Sequence, residues 1–366
     1  MDYSNWYTTR EAVRALSDNI PAKSNKALDI LIEGASRGLD ELLHRQILGR
    51  LETHSYTVGL DLAIPLDKDL LDVVSLRNTS LPNDPVISPE NYELEPTNLG
   101  PPYEEIALTS STSVPIAPGN IIEVIGLWGY KRTIVQITKI EALDDNGNPA
   151  SYSASDDLIE INNGELVEVG QTIQINGSGI AGEQLFISDI EDVYPFVGLR
   201  TTNIDQNTDE FSYSYLRDAD DHYDVDTNIK VGEIIRIDEE LMLVNYVGRP
   251  NPDGTVDFKV DRGYFNTPIE SHGSTPMIGV YRKLKVRRGI NNTTPTPYSG
   301  GDLVYLLGIP GDISSAAAAM TMNSLVNGQR NWSNIFDLVD SEKRYDDNSI
   351  RTLLQSIVTP HRRTSV

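Results

Sequence analysis

The strongest constraint on the fold is a repeat whose halves come in the wrong order for a tandem array. Val169-Gly170-Gln171-Thr172-Ile173-Gln174-Ile175 is matched by Val231-Gly232-Glu233-Ile234-Ile235-Arg236-Ile237, and Glu183, Leu185, Ile187 and Ile190 fall where Glu240, Met242, Val244 and Val247 fall. Further on, Val260-Asp261-Arg262-Gly263, then Asn266-Thr267 and an apolar run at 277–281, is matched by Val286-Arg287-Arg288-Gly289, then Asn292-Thr293 and a run at 303–307. His272 and Tyr298 hold equivalent places in the two copies. The order is opening half, opening half, closing half, closing half, where a tandem array would alternate them. One module, 200–283, is therefore expected to be nested inside an outer module made of 138–198 plus 284–308. Neither outer half can bury an apolar face alone, so the two should close on each other around the inner module. Each Arg-Gly step should sit where a strand leaves a turn, the glycine taking a conformation other residues resist. Arg262 and Arg288 are expected to pair with local carboxylates or carbonyls there, in preference to an acidic ligand.

Composition places these modules in an all-β stretch. Between 131 and 311 the chain is rich in Gly, Asn, Asp and Thr with alternating Ile and Val, and carries turn signals such as Asn146-Gly147-Asn148-Pro149 and Asn176-Gly177. At 366 residues the whole chain has material for about two domains. Cysteine is absent, which excludes disulfides, thiolate nucleophiles and cysteine metal sites and suits assembly in a reducing cytoplasm. No basic and apolar leader opens the chain, and no apolar run approaches the ~20 residues that span a bilayer. The sequence therefore reads as a soluble protein with no membrane partner. A net charge of -24 argues against an electrostatic DNA clamp, since nonspecific affinity comes from lysine and arginine neutralising phosphates. It fits either plain solubility or a channel wall over which DNA slides without sticking.

Both ends of the chain read as helical. Thr8 with Glu11 matches a capping box ahead of a short helix at about 9–17. Ser24 can cap a longer one, in which Leu28, Leu31, Ile32, Ala35, Leu39, Leu42 and Leu43 keep a helical stripe. Gly34, Ala35, Ser36 and Gly38 would let another backbone approach that stripe closely, within the subunit or between subunits. Near the other end Asp312 can cap a helix through Ala316-Ala317-Ala318-Ala319 to a stop at Asn327-Gly328, and a final helix is expected from 347 or 348 to the stop at Pro360. Between them come strand signals at 56–62, 72–76, 92–96, 106–108 and 121–127, the last running into Trp128-Gly129-Tyr130.

This order of elements, with Pro102-Tyr103 ahead of the strand that ends in Trp128-Gly129-Tyr130, resembles the head-to-tail connector adaptor proteins of tailed bacteriophages. The resemblance covers 1–130 and 312–366 and departs from the family at 131–311. It implies an α+β protein, in which helices from both ends form one helical adaptor domain with a few strands and 131–311 is an inserted all-β domain. It also implies a non-enzymatic virion protein without cofactors, assembled in the host cytoplasm as a dodecameric ring at the neck. The portal protein would bind above, and tail tube, nozzle or fibre proteins below, with DNA passing through the lumen without specific binding. The C-terminal segment commonly docks on the portal in this family, which points to the basic tail His361, Arg362 and Arg363 as the portal-binding residues. Two rival readings are a neck, baseplate or fibre-attachment protein whose β modules bind glycan or protein, and a polysaccharide-degrading enzyme working through one carboxylate pair.

Signals for chemistry are weak. Asp218, Asp220, Asp221, His222, Asp224 and Asp226 form the densest acidic cluster, and Asp220, Asp224 and Asp226 are the candidate calcium ligands. The mid-loop glycine and the closing glutamate of a calcium loop are missing, so a solvated acidic loop is the competing reading. His44, His54, His222, His272 and His361 show no zinc-protease spacing, and Gly177-Ser178-Gly179 lacks the lysine and helix of a phosphate loop. Tyr213, Tyr215, Tyr223, Phe258, Tyr264 and Phe265 can stack on sugars or fill a core.

Overall fold

The computed structural model describes residues 5–16, 25–111, 114–131, 133–141, 149–162, 164–176, 182–193, 200–201, 203–214, 229, 231–249, 251–252, 255–273, 278–331 and 361. It is mainly β, 44% strand against 18% helix. The expected α+β division into a helical adaptor domain and an all-β insert is therefore overturned. Among the described residues there are three α-helices, Arg10–Arg14, Asn25–Leu43 and Gly311–Asn331, and most of 50–128 is sheet.

That N-terminal sheet is antiparallel. Ile121–Trp128 lies between Arg50–Thr57 and the 16-residue strand Ala63–Asn78, which pairs in turn with Tyr103–Leu108, and Tyr92–Glu95 forms the far edge. Period-two burial decides the outcome here. Ile122, Val124 and Trp128 point into a core with Ile64, Leu70, Leu76 and Ile106, while Ile121 is left exposed.

The helices do not form a bundle of their own. The apolar stripe of Asn25–Leu43 is divided between two cores. Leu28 and Ile32 pack with Val13, Ala318 and Met322 into one cluster with Phe186 and Val286 of the large sheet. Leu39 and Leu43 join Leu307, Ile313 and Ala316 in another. The three helices pack on one another and share both clusters with strands of the large sheet, so they make no separate helical domain. The small residues of the stripe serve contacts within the chain: a Cβ on Gly38 would lie 3.3 Å from the Met320 side chain, and Ser36 Oγ accepts from Tyr7 N. The first helix is shorter than expected and is capped by Thr9, whose Oγ1 accepts from Ala12 N at 3.0 Å. Gly311–Asn331 starts one residue before Asp312 and continues past Asn327-Gly328. The expected final helix lies outside the described residues.

The second sheet holds both repeat modules side by side. From edge to edge its order is Arg200–Thr201, Glu210–Ser214, Thr255–Asp261, Glu240–Val247, Ile234–Ile237, Ile278–Ile290, Gln184–Val193, Thr172–Ile175, Leu303–Gly308 and Thr133–Lys139. The two outer halves close on each other, Thr172–Ile175 pairing with Leu303–Gly308 and Gln184–Val193 with the far part of Ile278–Ile290, and the inner module lies beside them in the same sheet. One strand serves both modules: Ile278, Gly279 and Val280 pair with Ile237, Arg236 and Ile235, while Val280 through Ile290 pair with Val193 back to Gln184. The inner module keeps its own core, with Phe211, Ile235, Ile237, Met242, Val256 and Phe258 in it. Ile234 and Leu241 point the other way, into the core of the outer module.

Candidate functional site

Two features gather polar chemistry. The first is a buried carboxylate node that occurs twice. In the outer module Glu183 accepts from Arg288 Nε and Nη2, both at 2.8 Å, from Gly289 N at 2.9 Å, from Thr296 N at 2.8 Å and from the Tyr298 hydroxyl. Arg288 Nη1 also donates to the Ser153 and Asp156 carbonyls, both at 2.9 Å. In the inner module Glu240 accepts from Arg262 Nε and Nη2, both at 2.6 Å, from Gly263 N at 3.0 Å and from Glu270 N at 3.1 Å. Arg262 Nη1 donates to the Asp205 and Thr208 carbonyls at 3.0 and 2.8 Å. His272 stands where Tyr298 does, with Nε2 2.9 Å from Glu240 Oε2 and Nδ1 2.8 Å from Asp238 Oδ2.

The equivalence extends to the backbone. Thr293 Oγ1 accepts from Gln184 N and donates to the Ile290 carbonyl, as Thr267 Oγ1 does with Leu241 N and the Tyr264 carbonyl. Gly289 and Gly263 both have φ near +60°, a region a side chain resists. That is why each arginine is followed by glycine.

Burial alone would raise both glutamates. The bonds from Arg288, Tyr298 and Thr296 N outweigh burial at Glu183, and those from Arg262, His272 and the Glu270 and Gly263 amides do so at Glu240, so both titrate below the usual carboxylate range. Burial, followed by the Glu183 carboxylate, pushes the Tyr298 hydroxyl up. Each carboxylate oxygen takes at least two donors, which leaves it poorly placed to act as a base or to hold a ligand. Chemically the nodes are cross-links.

The second feature is the joint at Trp128-Gly129-Tyr130. Trp128 Nε1 donates to the Glu52 carbonyl at 3.0 Å, Gly129 N to Asp69 O at 2.9 Å and Tyr130 N to Gln46 O at 2.7 Å. A Cβ on Gly129 would lie 2.8 Å from Gly49 Cα, so two glycines let the end of the sheet cross the loop after the second helix. Arg45 lies over the Tyr130 ring at 4.4 Å, with Nε 3.4 Å from Asp69 Oδ2. A cleft of about 390 Å³ opens beside them, lined by Arg37, Arg45, Arg50 and Lys68 but also by Asp40, Asp67 and Asp69. The near balance of charge makes it a weak anion trap.

His361 docks on this joint. Its ring meets Tyr130 edge-on at 5.5 Å, Nδ1 lies 3.1 Å from Tyr130 Oη, and Nε2 lies 2.6 Å from Asp312 Oδ2 at the start of the helix Gly311–Asn331. Burial would raise Asp312, but the contact with His361 and the Ile313 amide holds it below its usual range. Of the expected portal-binding tail, His361 thus contacts its own chain, and Arg362 and Arg363 lie outside the described residues. So do Asp220, Asp224 and Asp226. Among the described residues no group of His, Asp and Glu is arranged to hold a metal, and no helix is long and apolar enough to cross a membrane. Of the candidate sugar-stacking residues, Phe258 is buried in the inner core, and Tyr264 and Phe265 pack against the outer one. Comparison with protein families, with curated proteins and with solved structures finds no match.

Proposed function

We propose that the protein is a non-enzymatic assembly protein of a phage virion, a ring-forming adaptor between portal and tail. The observation that best supports the reading is the doubled node: buried charge on each module is consumed in cross-linking the module's own halves, which suits a load-carrying scaffold. The acidic surface fits a wall that DNA passes without adhering. The mainly β fold shifts weight from a helical ring wall toward walls made of sheet. For the tail to grip a portal, His361 must leave Tyr130 and Asp312, so docking would exchange an internal contact for an external one. Against the glycan-binding alternative, Phe258 is buried and Tyr264 and Phe265 pack against the outer core; Tyr213, Tyr215 and Tyr223 bear on neither reading.

The test is co-sedimentation with portal rings of the same phage. The intact protein is expected to travel with the rings at fixed stoichiometry, and a variant lacking 359–366 to stay folded but remain in the supernatant. Failure of the intact protein to bind portal rings, with retention on immobilised glycans, would favour the fibre-attachment reading.

A further inference from the structure

Among the described residues, two sheet edges are open over most of their length and carry opposite charge. Thr133–Lys139 ends the large sheet, pairing only with Leu303–Gly308. Its outer side has no backbone partner among the described residues until Lys139, whose carbonyl accepts from Asn162 N. The stretch 131–139 holds Lys131, Arg132 and Lys139 and no carboxylate. It contains no proline, and Val135 is 53% exposed. The strand bulges at Ile137, which blunts its far end and leaves Thr133–Gln136 regular, and an edge run without proline or bulge is a template for another strand.

Tyr92–Glu95 ends the smaller sheet, pairing only with Tyr103–Leu108. Glu90, Glu93, Glu95, Glu104 and Glu105 lie on or beside it, with no lysine or arginine from 86 to 108. Leu99, just past the strand, is 83% exposed. Like-charged surfaces on a chain of net charge -24 repel, so self-association requires a place where the sign changes. The basic edge is such a place, and the acidic edge of another copy complements it.

We propose that copies of this chain join head to tail by strand addition, the edge Thr133–Lys139 of one copy pairing with the edge Tyr92–Glu95 of the next. Backbone bonds supply the affinity and the charges set the partner and the direction. Because the two surfaces differ, the contact is heterologous and generates a ring if the rotation closes, or a filament if it does not. The inference deepens the adaptor reading and rests on it for the ring. Its test involves no portal, so the two can fail separately.

The experiment combines sedimentation velocity of the full chain over a concentration series with amide hydrogen exchange of the assembled and dispersed states. Assembly is expected to strengthen at low salt and to slow exchange in both 133–139 and 92–95. Lys131→Glu with Lys139→Glu should weaken assembly roughly tenfold or more with unchanged circular dichroism, as should Glu93→Lys with Glu95→Lys. Mixing the two charge-reversed proteins should restore mixed contacts. Assembly that protects neither edge, or only one, overturns the proposal, as does a monomer at every concentration.

Discussion

The outer and inner modules use the same cross-link for closures of very different length. Glu240 and Arg262 are 22 residues apart, whereas Glu183 and Arg288 are 105 apart. On loop-closure entropy alone the outer contact costs about 1.4 kcal/mol more to form. The inner module lies within that longer loop, and its folding brings the ends of the outer module together. The cores differ in the same sense. The inner one is self-contained, while the outer one draws in Trp6, Val13, Ala318 and Met322 from both ends of the chain. The inner module lends Ile234 and Leu241 to the outer core, so the hierarchy is one of degree: the inner core closes from its own residues, and the outer one depends on the inner module and on both chain ends.

The largest expected effects come from breaking a node. Glu240→Gln and Glu183→Gln each leave an arginine buried without its counter-charge, at a cost of about 3–5 kcal/mol measurable by chemical denaturation. Their reach should differ, with Glu240→Gln loosening both modules and Glu183→Gln only the outer one. Equal reach would break the hierarchy.

Tyr298→Phe removes one hydroxyl bond to a charged acceptor and should cost about 1.5–3 kcal/mol. A loss as large as that of Glu183→Gln would mean that the hydroxyl, and not the arginine, holds the outer node.

Acid sharpens the comparison further. Both node glutamates are depressed in the folded state, so their contribution is present above the ordinary glutamate pKa of about 4.3 and is lost as pH falls through the lower native values. Urea titrations should show stability falling below about pH 4, and a chain equally stable at pH 3 and 6 would contradict this. Glu11, buried against the outer module, behaves oppositely. Burial pushes it up to about 7, so the folded state holds its proton more tightly and stability declines as pH rises from the ordinary range toward 7. Glu11→Gln should therefore raise Tm at pH 8 and leave it unchanged at pH 4.

Much of the candidate site is legible in the sequence because it is repeated. The matched Glu183 and Glu240, the two Arg-Gly steps and the paired positions of His272 and Tyr298 all stand in the sequence at repeat spacing, and these residues build the node. The N-terminal sheet was harder to read. Its long strand Ala63–Asn78 shifts register between Pro65 and Leu70, Leu70 and Asp72, and Val73 and Ser75, which breaks the alternation that announces a strand. The shared strand was hidden for another reason. Ile278–Ile290 closes one module and continues the other, so a boundary drawn between 283 and 284 cuts through a single element. Nor does a helical stripe say what it packs on, and Leu28 and Leu39 look alike until one lies on strands of the outer module and the other beside Ile313.

The hierarchy of modules is tested most directly by amide hydrogen exchange of Glu183→Gln under native conditions. Faster exchange is expected in Thr172–Ile175 and Gln184–Val193, with Ile234–Ile237, Glu240–Val247 and Thr255–Asp261 keeping the protection they have in the unaltered protein. Loss of protection to the same degree in both sets of strands would contradict it and make the two modules one cooperative unit.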